Sequence, residues 1–390
     1  MIIGIDANEA NQNQKVGIGQ YAYWIIKSLY QLDTKNSYLI YLKNKLLSGM
    51  PQARPNWQYR IIGPSWLWTQ WRLPWSLIAD RPQPDVFLSL THYAPRFCPV
   101  PLLVSVMDLS YLEFGDYFKK SDLYQLKNWT KYSVERANTI IAISQSTKND
   151  ITKHYKIEPD KIHVVYPGYD REKFMVAKND DKLQQIKTKY GIAGPFIISV
   201  GTLQPRKNYL KLLEALARVK GEGLRVKGQV GHSLSSSPFS LDALRLVIAG
   251  KKGWLYHDIF SKVKELGLER DVVFTDFIAD DDLAVLYNCA QAFVLVSLYE
   301  GFGIPVVEAM ACGCPVVVSN ISSLPEVSGD AGILVDPNSA DNIAQGIIEA
   351  LDKREDLSAK ALVQAQKFDW QTSARQVLLL LEATSRNKSP

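Results

Sequence analysis

The stretch Glu300-Gly301-Phe302-Gly303-Ile304-Pro305-Val306-Val307-Glu308 places two carboxylates at the ends of a glycine-rich turn. It follows a strand-like apolar run over residues 292–296. Pro305 suits the first turn of a helix and Gly313 suits the residue beyond its end, so a short helix is predicted between them. The start of such a helix offers unpaired N–H groups to an anion. The stretch therefore predicts one strand–turn–helix unit of an α/β fold, with an anion site at the turn.

A second stretch, Gly201-Thr202-Leu203-Gln204-Pro205-Arg206-Lys207-Asn208, supplies the matching positive charges. Arg206 offers a planar fork and Lys207 a point charge, and both suit a diphosphate. Glu308, expected in the first turn of the helix, can accept two hydrogen bonds from the vicinal diol of a ribose. Together the two stretches predict a nucleotide-sugar site in which the diphosphate is neutralised without a metal.

Strand-like runs alternate with helical patterns along the chain, which predicts parallel sheets with helices on both faces. The first series of strands covers residues 1–6, 38–42, 85–89, 102–107 and 139–143, with helices over 18–32 and 117–137. The second series covers residues 196–200, 244–249, 272–275, 292–296, 316–319 and 332–335. We predict two Rossmann-like, doubly wound domains, with the ligand in a cleft between them at the carboxyl ends of the strands.

These motifs resemble those of the retaining glycosyltransferases of family four, also called glycosyltransferase group one, which have the GT-B fold. The resemblance is carried by the Gly-x-x-x-x-Arg-Lys-Asn run, the glutamate pair, the run 308–317 and Gly17-Ile18-Gly19-Gln20-Tyr21, and it extends to about Arg386. It implies an acceptor-binding domain over 1–175 and a nucleotide-sugar domain over 176–369. It also implies that a last helix within 370–390 crosses back to the first domain.

The resemblance also implies residue roles. The donor would be bound by Gly17, Gly19, Gly201, Thr202, Arg206, Lys207, Glu300, Gly301, Phe302, Gly303, Ile304 and Glu308. The catalytic groups would be Arg206, Lys207, Glu300, Asp108 and His92. Transfer would follow a front-face route, in which the leaving diphosphate accepts the proton of the acceptor hydroxyl while cations stabilise the developing charge.

Asp108 closes a predicted strand at its carboxyl end, where polar catalytic groups collect. Relatives commonly carry histidine just before this aspartate, but here Met107 stands there and cannot donate a hydrogen bond. His92, after the preceding strand, is the candidate substitute, and a structural hydrogen-bonding role for it stays open.

Two other motifs have simpler interpretations. Gly17, Gly19 and Ala22 match a dinucleotide fingerprint, but Gly17 comes too long after the first strand for a dehydrogenase. Asp280-Asp281-Asp282 has the spacing of a metal motif but precedes a helical run, where acidic residues favour a helix start. Cys312-Gly313-Cys314 lacks partner ligands for zinc. We predict no metal and no cofactor beyond the nucleotide-sugar co-substrate.

The composition of the 390 residues, with 46% hydrophobic and 22% charged, is that of a globular protein of two domains. No apolar run is long enough to cross a membrane, and four scattered cysteines suit a reducing compartment, so a cytoplasmic location is expected. Residues 1–175 contain 21 Lys+Arg against 15 Asp+Glu, a net charge of +6, and the remainder carries −1. This basic first domain leaves peripheral contact with the inner membrane face open. No basic run with interleaved aromatic residues indicates nucleic acid. The oligomeric state is not predictable.

Four tryptophans, Trp66, Trp68, Trp71 and Trp75, crowd a short stretch that Pro74 is expected to interrupt. Packing against the sheet is the favoured interpretation, and docking on a bilayer or stacking on acceptor sugars is the alternative. Residues 221–242, rich in glycine and serine, are predicted to form a surface insertion.

The sequence thus predicts a retaining, metal-independent hexosyltransferase acting on a glycan or lipid-linked acceptor in polysaccharide biosynthesis. UDP-glucose is the first choice of donor and GDP-mannose the second, because the base pocket leaves little side-chain signature. A GT-B sugar-nucleotide epimerase and a non-catalytic nucleotide-binding protein are the alternatives of another class.

Overall fold

The computed structural model describes residues 1–15, 17–63, 67–177, 180–226 and 240–386. The chain forms two compact units, one of Met1–Gly168 with Asp369–Pro390 (unit 1) and one of Tyr169–Phe368 (unit 2). Trp66 and most of the predicted glycine- and serine-rich insertion lie outside the described residues.

Unit 1 is built on a seven-stranded sheet in which every neighbouring pair is parallel. Its strands are β1 (Ile2–Asp6), β2 (Ser37–Leu42), β3 (Trp57–Ile61), β4 (Val86–Ser89), β5 (Leu102–Val106), β6 (Thr139–Ala142) and β7 (Ile162–Val164). Their order is β3-β2-β1-β4-β5-β6-β7. The sequence missed the two edge strands, β3 and β7, because an edge strand carries fewer buried residues and so shows a weaker apolar run.

The helices of unit 1 cover the faces of this sheet. They are α1 (Ile18–Leu32), α2 (Leu73–Ala79), α3 (Ser110–Glu113), α4 (Lys120–Arg136), α5 (Gln145–Tyr155) and α14 (Trp370–Arg386). The last helix belongs to this unit: the rings of Trp370 and Trp24 of α1 stack at a centroid distance of 6.3 Å. A hydroxyl pair between Thr384 and Thr139, 2.7 Å apart, ties the far end of α14 to the sheet.

Unit 2 is built on a six-stranded parallel sheet of order β10-β9-β8-β11-β12-β13. Its strands are β8 (Phe196–Val200), β9 (Arg245–Ala249), β10 (Val272–Phe274), β11 (Phe293–Leu295), β12 (Val316–Ser319) and β13 (Gly332–Val335). All six were predicted. The four inner strands, β8, β9, β11 and β12, are almost fully buried, and such strands read as continuous apolar runs in the sequence.

The helices of unit 2 are α6 (Asp180–Tyr190), α7 (Tyr209–Val226), α8 (His257–Glu265), α9 (Asp280–Cys289), α10 (Ile304–Ala311), α11 (Leu324–Ser328), α12 (Ala340–Asp352) and α13 (Arg354–Ala365). None of the described helices is both long and apolar enough to cross a membrane.

The segment just after Gly168 packs with unit 2. Lys173 forms an ion pair of 3.2 Å with Asp280, the ring of Phe174 lies 6.0 Å from that of Tyr287, and Asn288 donates to the carbonyl of Met175 at 3.0 Å. With the division after Gly168, these contacts assign residues 169–175 to unit 2, whereas the predicted first domain extended to residue 175.

Candidate donor site and its family

Strands β8 and β11 are neighbours at the centre of the unit 2 sheet, where the order of the strands reverses. In open α/β sheets, ligands bind outside the carboxyl ends of the strands at such a switch point. The loop 201–208 follows β8 and the loop 296–303 follows β11. The fold therefore brings the two sequence motifs together at the position expected for a ligand.

The two loops are joined by hydrogen bonds. Pro205–Lys207 form one turn of 3-10 helix, which ends at Asn208 in the left-handed region with φ 59°. The side-chain amide of Asn208 donates to the backbone carbonyls of Val296 (3.0 Å) and Pro337 (2.7 Å). The backbone N–H of Leu298 donates to the carbonyl of Arg206 (2.9 Å). Asn208 thus holds the loop that carries both cations against the end of β11.

Glu300 lies between those cations and is buried. Its Oε1 is 2.5 Å from Nζ of Lys207 and accepts from the Ser297 hydroxyl at 2.7 Å, while its Oε2 is 3.4 Å from Nη1 of Arg206. Burial alone would raise the pKa of Glu300, but Lys207 and Arg206 outweigh it, helped by the Lys207 and Ser297 hydrogen bonds, so its pKa lies below the usual value. Two cations and one carboxylate leave one net positive charge for an anion.

Serines that the sequence did not single out hold the backbone of the turn. The Ser323 hydroxyl donates to the carbonyls of Glu300 (2.9 Å) and Phe302 (3.0 Å), and the amide of Glu300 donates to the Ser322 hydroxyl (2.9 Å). With Ser297 they form a supporting layer around Glu300. Serine is too common in loops for a single sequence to reveal this role.

At two positions of these loops the backbone lies so close to a neighbouring side chain that glycine is needed. A Cβ at Gly201 would come within 2.9 Å of Cε of Lys207, so the lysine side chain lies across the bare backbone of this residue. Gly303, with φ 99°, precedes α10, and a Cβ there would meet Leu324 at 2.9 Å. Each glycine therefore allows the backbone of one of the two motif loops to adopt its observed conformation.

Helix α10 begins and ends as predicted, with Pro305 in its first turn and Gly313 just beyond it at φ 71°. The prediction for Glu308 was wrong in one respect. The first turn of α10 contains no acidic residue, and Glu308 lies in the second turn, because the helix begins at Ile304. Its carboxylate is therefore not among the groups at the helix start.

The environment of Glu308 differs from that of Glu300. Burial raises the pKa of Glu308 to about 8, the negative charges of Asp280 and Asp170 act in the same direction, and Lys173 opposes them. Among the described residues, none hydrogen-bonds to this carboxyl group, which keeps partial access to solvent. Glu308 is thus a largely protonated, unpartnered acid at neutral pH.

Gly17 and Gly19, the glycine pair of unit 1, have different structural roles. Gly17 caps α1 with φ 49°, and nothing lies within 4 Å of the place a Cβ would take. Gly19 lies inside the helix, where a Cβ would come within 3.0 Å of the carbonyl of Glu9. Gly19 is therefore needed for packing, whereas the surface beside Gly17 is open.

His92 and Asp108 lie at the carboxyl ends of β4 and β5, which are neighbouring strands. Burial lowers the pKa of His92, and the negative charge of Asp108 opposes that shift. The Nδ1 atom of His92 is buried and has no hydrogen-bond partner among the residues that the structure describes. Asp108 accepts from the backbone amide (3.0 Å) and hydroxyl (2.7 Å) of Ser110, and Met107, at the position where the family resemblance implied histidine, is buried.

Family models match both parts of the chain. The model described as glycosyl transferases group 1 matches residues 183–368, and the one described as glycosyltransferase family 4 matches residues 50–173. The O-antigen chain mannosyltransferase B of Escherichia coli is 30% identical over 70% of this chain and 67% of its own length. The chain is a family-four glycosyltransferase.

Two further proteins show the range of the similarity. The serotype-specific mannosyltransferase WbdA of Escherichia coli is 32% identical over 62% of this chain, a match that spans only 28% of the length of WbdA. The structure of sucrose-phosphate synthase from Thermosynechococcus elongatus superimposes with a TM-score of 0.74, at 18% identity and with 98% of each chain covered. The glycosyltransferase therefore has the predicted GT-B fold of two Rossmann-like domains.

The remaining donor residues predicted for the glycosyltransferase lie on the same two loops. Thr202 is exposed beside Gly201, and Gly301 and Ile304 flank the Phe302 side chain, which is buried with its ring edge-on to Phe368 at 5.4 Å. The fold thus gathers the predicted donor residues of unit 2, from Gly201 to Gly303, on the two loops, with Ile304 at the start of α10 and Glu308 one turn further along it.

The three aspartates of the apparent metal motif lie in the first turn of α9, as the helix-start interpretation predicted. Asp280 pairs with Lys173 and Asp282 with Lys189 at 2.6 Å. Within the described parts of the chain, one group of acidic and histidine side chains is close enough to share an ion, namely Glu113, Asp150 and His154 in unit 1. It contains none of the donor residues.

The tryptophan cluster was only partly predicted. Trp68 is buried and its indole N–H donates to Oδ2 of Asp6 at 2.8 Å, in agreement with core packing. The prediction of core packing was wrong for Trp71 and Trp75, which are exposed. Pro74 lies in the first turn of α2, directly after a π-helical stretch over Trp68–Arg72.

Proposed function

We propose that this glycosyltransferase transfers a hexose, with retention and without a metal ion, from a nucleotide diphosphate sugar to a hydroxyl of a glycan or lipid-linked acceptor in polysaccharide biosynthesis. The observation that carries the proposal is the buried cluster of Arg206, Lys207 and Glu300 at the switch point of the unit 2 sheet. Unit 1 is assigned to the acceptor.

The cluster suits a leaving diphosphate because its cations are already positioned. Arg206 donates to the carbonyl of Tyr299 at 2.7 Å and Lys207 lies across Gly201, so neither must reorganise far as charge develops. Preorganised charge of this kind is usually the largest contribution to catalysis. Two protein cations also supply what a divalent ion would supply elsewhere, which supports the metal-independent reaction.

In the proposed step, the bond between the anomeric carbon and the phosphate oxygen breaks while the acceptor oxygen bonds to the same face of the sugar. The acceptor hydroxyl passes its proton to the departing phosphate oxygen, so no protein nucleophile is needed. Arg206 and Lys207 stabilise the negative charge that develops on the diphosphate. Retention follows from attack on the face that the leaving group vacates.

We assign to Glu300 the role of accepting a hydrogen bond from a hydroxyl of the transferred hexose. Its Oε1 already accepts from Lys207 and Ser297, whereas within the described ranges the one contact of Oε2 is the long one to Arg206. A carboxylate offers about four acceptor positions, so Oε2 retains capacity for one hydroxyl of the hexose. Because the pKa of Glu300 is lowered, it is ionised and can act only as an acceptor.

Glu308 is assigned to the ribose of the donor. Its ionised form accepts two hydrogen bonds from a diol, whereas its protonated form accepts fewer and donates one. With the pKa raised to about 8, ribose binding would be coupled to loss of the proton.

His92 and Asp108 are assigned to the same reaction in unit 1. With its pKa lowered, His92 is neutral at pH 7, and its partly exposed imidazole can form a hydrogen bond to a sugar hydroxyl. This would replace the contact that relatives make through the histidine at position 107. His92→Phe would then lower turnover while His92→Asn, which keeps a hydrogen-bonding group, would retain more of it.

For the donor, we place mannose ahead of glucose, with GDP-mannose as the compound to test first. The two Escherichia coli proteins described above are mannosyltransferases by name, and at 30% and 32% identity both are more similar in sequence to this chain than sucrose-phosphate synthase, at 18%. UDP-glucose is the second donor. A cytoplasmic location, where such donors are made, is part of the same proposal.

The experiment is a panel of GDP-mannose, UDP-glucose and an ADP-sugar incubated with the enzyme, with and without EDTA. Release of nucleotide and the change in melting temperature are both recorded, since a ligand that binds only the folded state raises apparent stability. We expect one donor to be stabilising and slowly hydrolysed in EDTA. Binding without hydrolysis or transfer would indicate the non-catalytic alternative, and a changed sugar still attached to its nucleotide would indicate an epimerase.

A further inference from the structure

Helix α2 and the π-helical turn before it carry an apolar stripe on their outer side. Trp71, Trp75 and Ile78 are spaced by four and three residues and therefore share one helical face. Their exposed fractions are 64%, 70% and 46%. Single exposed apolar residues need no explanation, but a contiguous group of large ones marks an interaction surface.

The opposite side of the same segment is fixed to unit 1. Leu73 and Leu77 are fully buried in the sheet core, and Trp68 is anchored through its indole N–H on Asp6. The segment is thus apolar on both sides, but only one side packs against the core of unit 1. The exposed stripe is held in place and does not belong to the core.

A neighbouring loop extends this surface. The amide of Arg96 donates to the carbonyl of Thr69 at 2.7 Å, which fastens the loop beside the helix. Phe97 on that loop is 61% exposed. Phe97 and Ile78 both line a surface cavity of about 240 Å³.

Two arginines line the same cavity. The guanidinium groups of Arg96 and Arg136 lie 4.2 and 5.7 Å from the ring centre of Tyr132, and the Tyr132 hydroxyl donates to the carbonyl of Arg96. Both arginines are exposed, and within the described part of the chain neither forms an ion pair with a carboxylate. Exposed indole and phenyl rings therefore adjoin a cavity with two positive charges. We call this surface the aromatic face: Trp71, Trp75, Ile78, Phe97, Arg96 and Arg136.

We propose that the aromatic face docks on a bilayer of anionic phospholipid, with the rings at the depth of the headgroups and a lipid phosphate at Arg96 and Arg136. Amphipathic tryptophans favour the interface between water and lipid, and arginines beside them add attraction to anionic headgroups. Charge complementarity selects this occupant over two others. A neutral glycan would leave the arginines without a role, and a symmetric pair of copies would bring like charges together.

The test is sedimentation of the full chain with vesicles of phosphatidylcholine alone or mixed with phosphatidylglycerol, at low and high salt. Wild type should bind the anionic vesicles at low salt and release at high salt, because headgroup attraction is screened. Trp71→Ser with Trp75→Ser should weaken binding by more than tenfold with an unchanged melting temperature. Arg96→Gln with Arg136→Gln should weaken it by roughly fivefold per arginine removed.

Leu379→Ser is the matched control, since Leu379 is as exposed as Trp71 but lies on α14. It should bind vesicles like wild type. Four outcomes would overturn the proposal: no vesicle binding by wild type, equal binding to neutral vesicles, unchanged binding by both double variants, or a loss of acceptor affinity or dimer formation in place of a loss of lipid binding. Hydrolysis of donor in solution should be unaltered in all variants, so failure here leaves the proposed reaction untouched.

Discussion

Glu300 and Glu308 stand at the two ends of one short stretch, yet they lie in opposite electrostatic environments. Glu300 is surrounded by Lys207, Arg206 and Ser297, and its pKa is lowered. Glu308, eight positions on, has a pKa raised to about 8 by burial first and by its acidic neighbours second. A buried carboxylate stays charged only when cations and donors compensate its burial.

The difference also separates two tasks. A permanently ionised Glu300 can hold two cations in place and accept from a sugar at any physiological pH. Glu308, which is largely protonated in the empty site, can lose its proton when a ligand binds, because its charge depends on the ligand. The predictions below test whether these two environments produce the two expected behaviours.

The largest effect is expected from removal of a cation beside Glu300. Lys207→Ala or Arg206→Ala should lower turnover by on the order of a hundredfold, the scale for one preorganised stabilising group. Lys207→Ala should also lower the melting temperature, because it leaves Glu300 as a buried charge with one partner fewer. Steady-state donor hydrolysis and thermal melting measure both.

Lys211→Ala is the control for that pair of variants. Lys211 is a more exposed lysine on α7 whose 2.9 Å partner is Glu214, and exposed pairs of this kind contribute little. It should leave turnover and melting unchanged. Near-wild-type turnover in both Lys207→Ala and Arg206→Ala would reject the diphosphate assignment.

The second effect concerns the pH dependence of donor binding at Glu308. If ribose binds the ionised carboxyl, donor affinity should rise by on the order of fiftyfold between pH 6 and pH 8 and level off above about pH 9. Glu308→Gln should flatten this profile. Calorimetric titration in buffers of different ionisation enthalpy should show proton release by wild type and none by the variant. A pH-independent affinity in wild type would contradict the coupling.

The same two carboxyls should have opposite effects on stability. Because the folded-state pKa of Glu300 is below 4.5, its pairing stabilises the protein above about pH 4.5 and is lost as the pH falls through that lower pKa. For Glu308 the folded-state pKa is above 4.5, so ionisation destabilises the protein as the pH rises from 4.5 to about 8. Glu308→Gln should therefore raise the free energy of unfolding at pH 9 by roughly 2 kcal/mol, allowing for partial solvent access, and change nothing at pH 4. The exposed Glu355 provides the matched control, Glu355→Gln, whose stability should follow wild type at both pH values.

The smallest effect is expected at Gly201. Gly201→Ala would place a methyl group within 2.9 Å of Cε of Lys207 and displace the lysine from Glu300, so turnover should fall by roughly tenfold or less. Gly221→Ala on α7 has open space around the new methyl group and should leave turnover unchanged. Full activity in Gly201→Ala would mean that the position of Lys207 is not critical.

The fold was largely predictable from the sequence, and particular residues show why. The buried strands of unit 2 are short, continuous apolar runs, and Pro305 and Gly313 marked both ends of α10. Strands β3 and β7 were missed because edge strands expose part of their surface. Glu308 was placed a turn too early because helix boundaries read from sequence are uncertain by a residue or more.

The candidate site was predictable as a set of residues but not as a network. Arg206 and Lys207 were recognised from their motif, but their pairing with Glu300 joins residues more than 90 positions apart, and it appears only once β8 and β11 are neighbours. Ser297, Ser322 and Ser323 carried no signal of their own. Trp71 and Trp75 were expected in the core, because helical spacing alone does not reveal which side of a helix faces the sheet.

The most direct test of the account is the structure of the protein with GDP or a GDP-sugar, formed in the presence of EDTA. The account predicts that the diphosphate lies within hydrogen-bonding distance of Arg206 and Lys207, with the ribose at Glu308 and no divalent ion. A diphosphate bound away from these cations, or bound there only when a divalent ion is supplied, would contradict it.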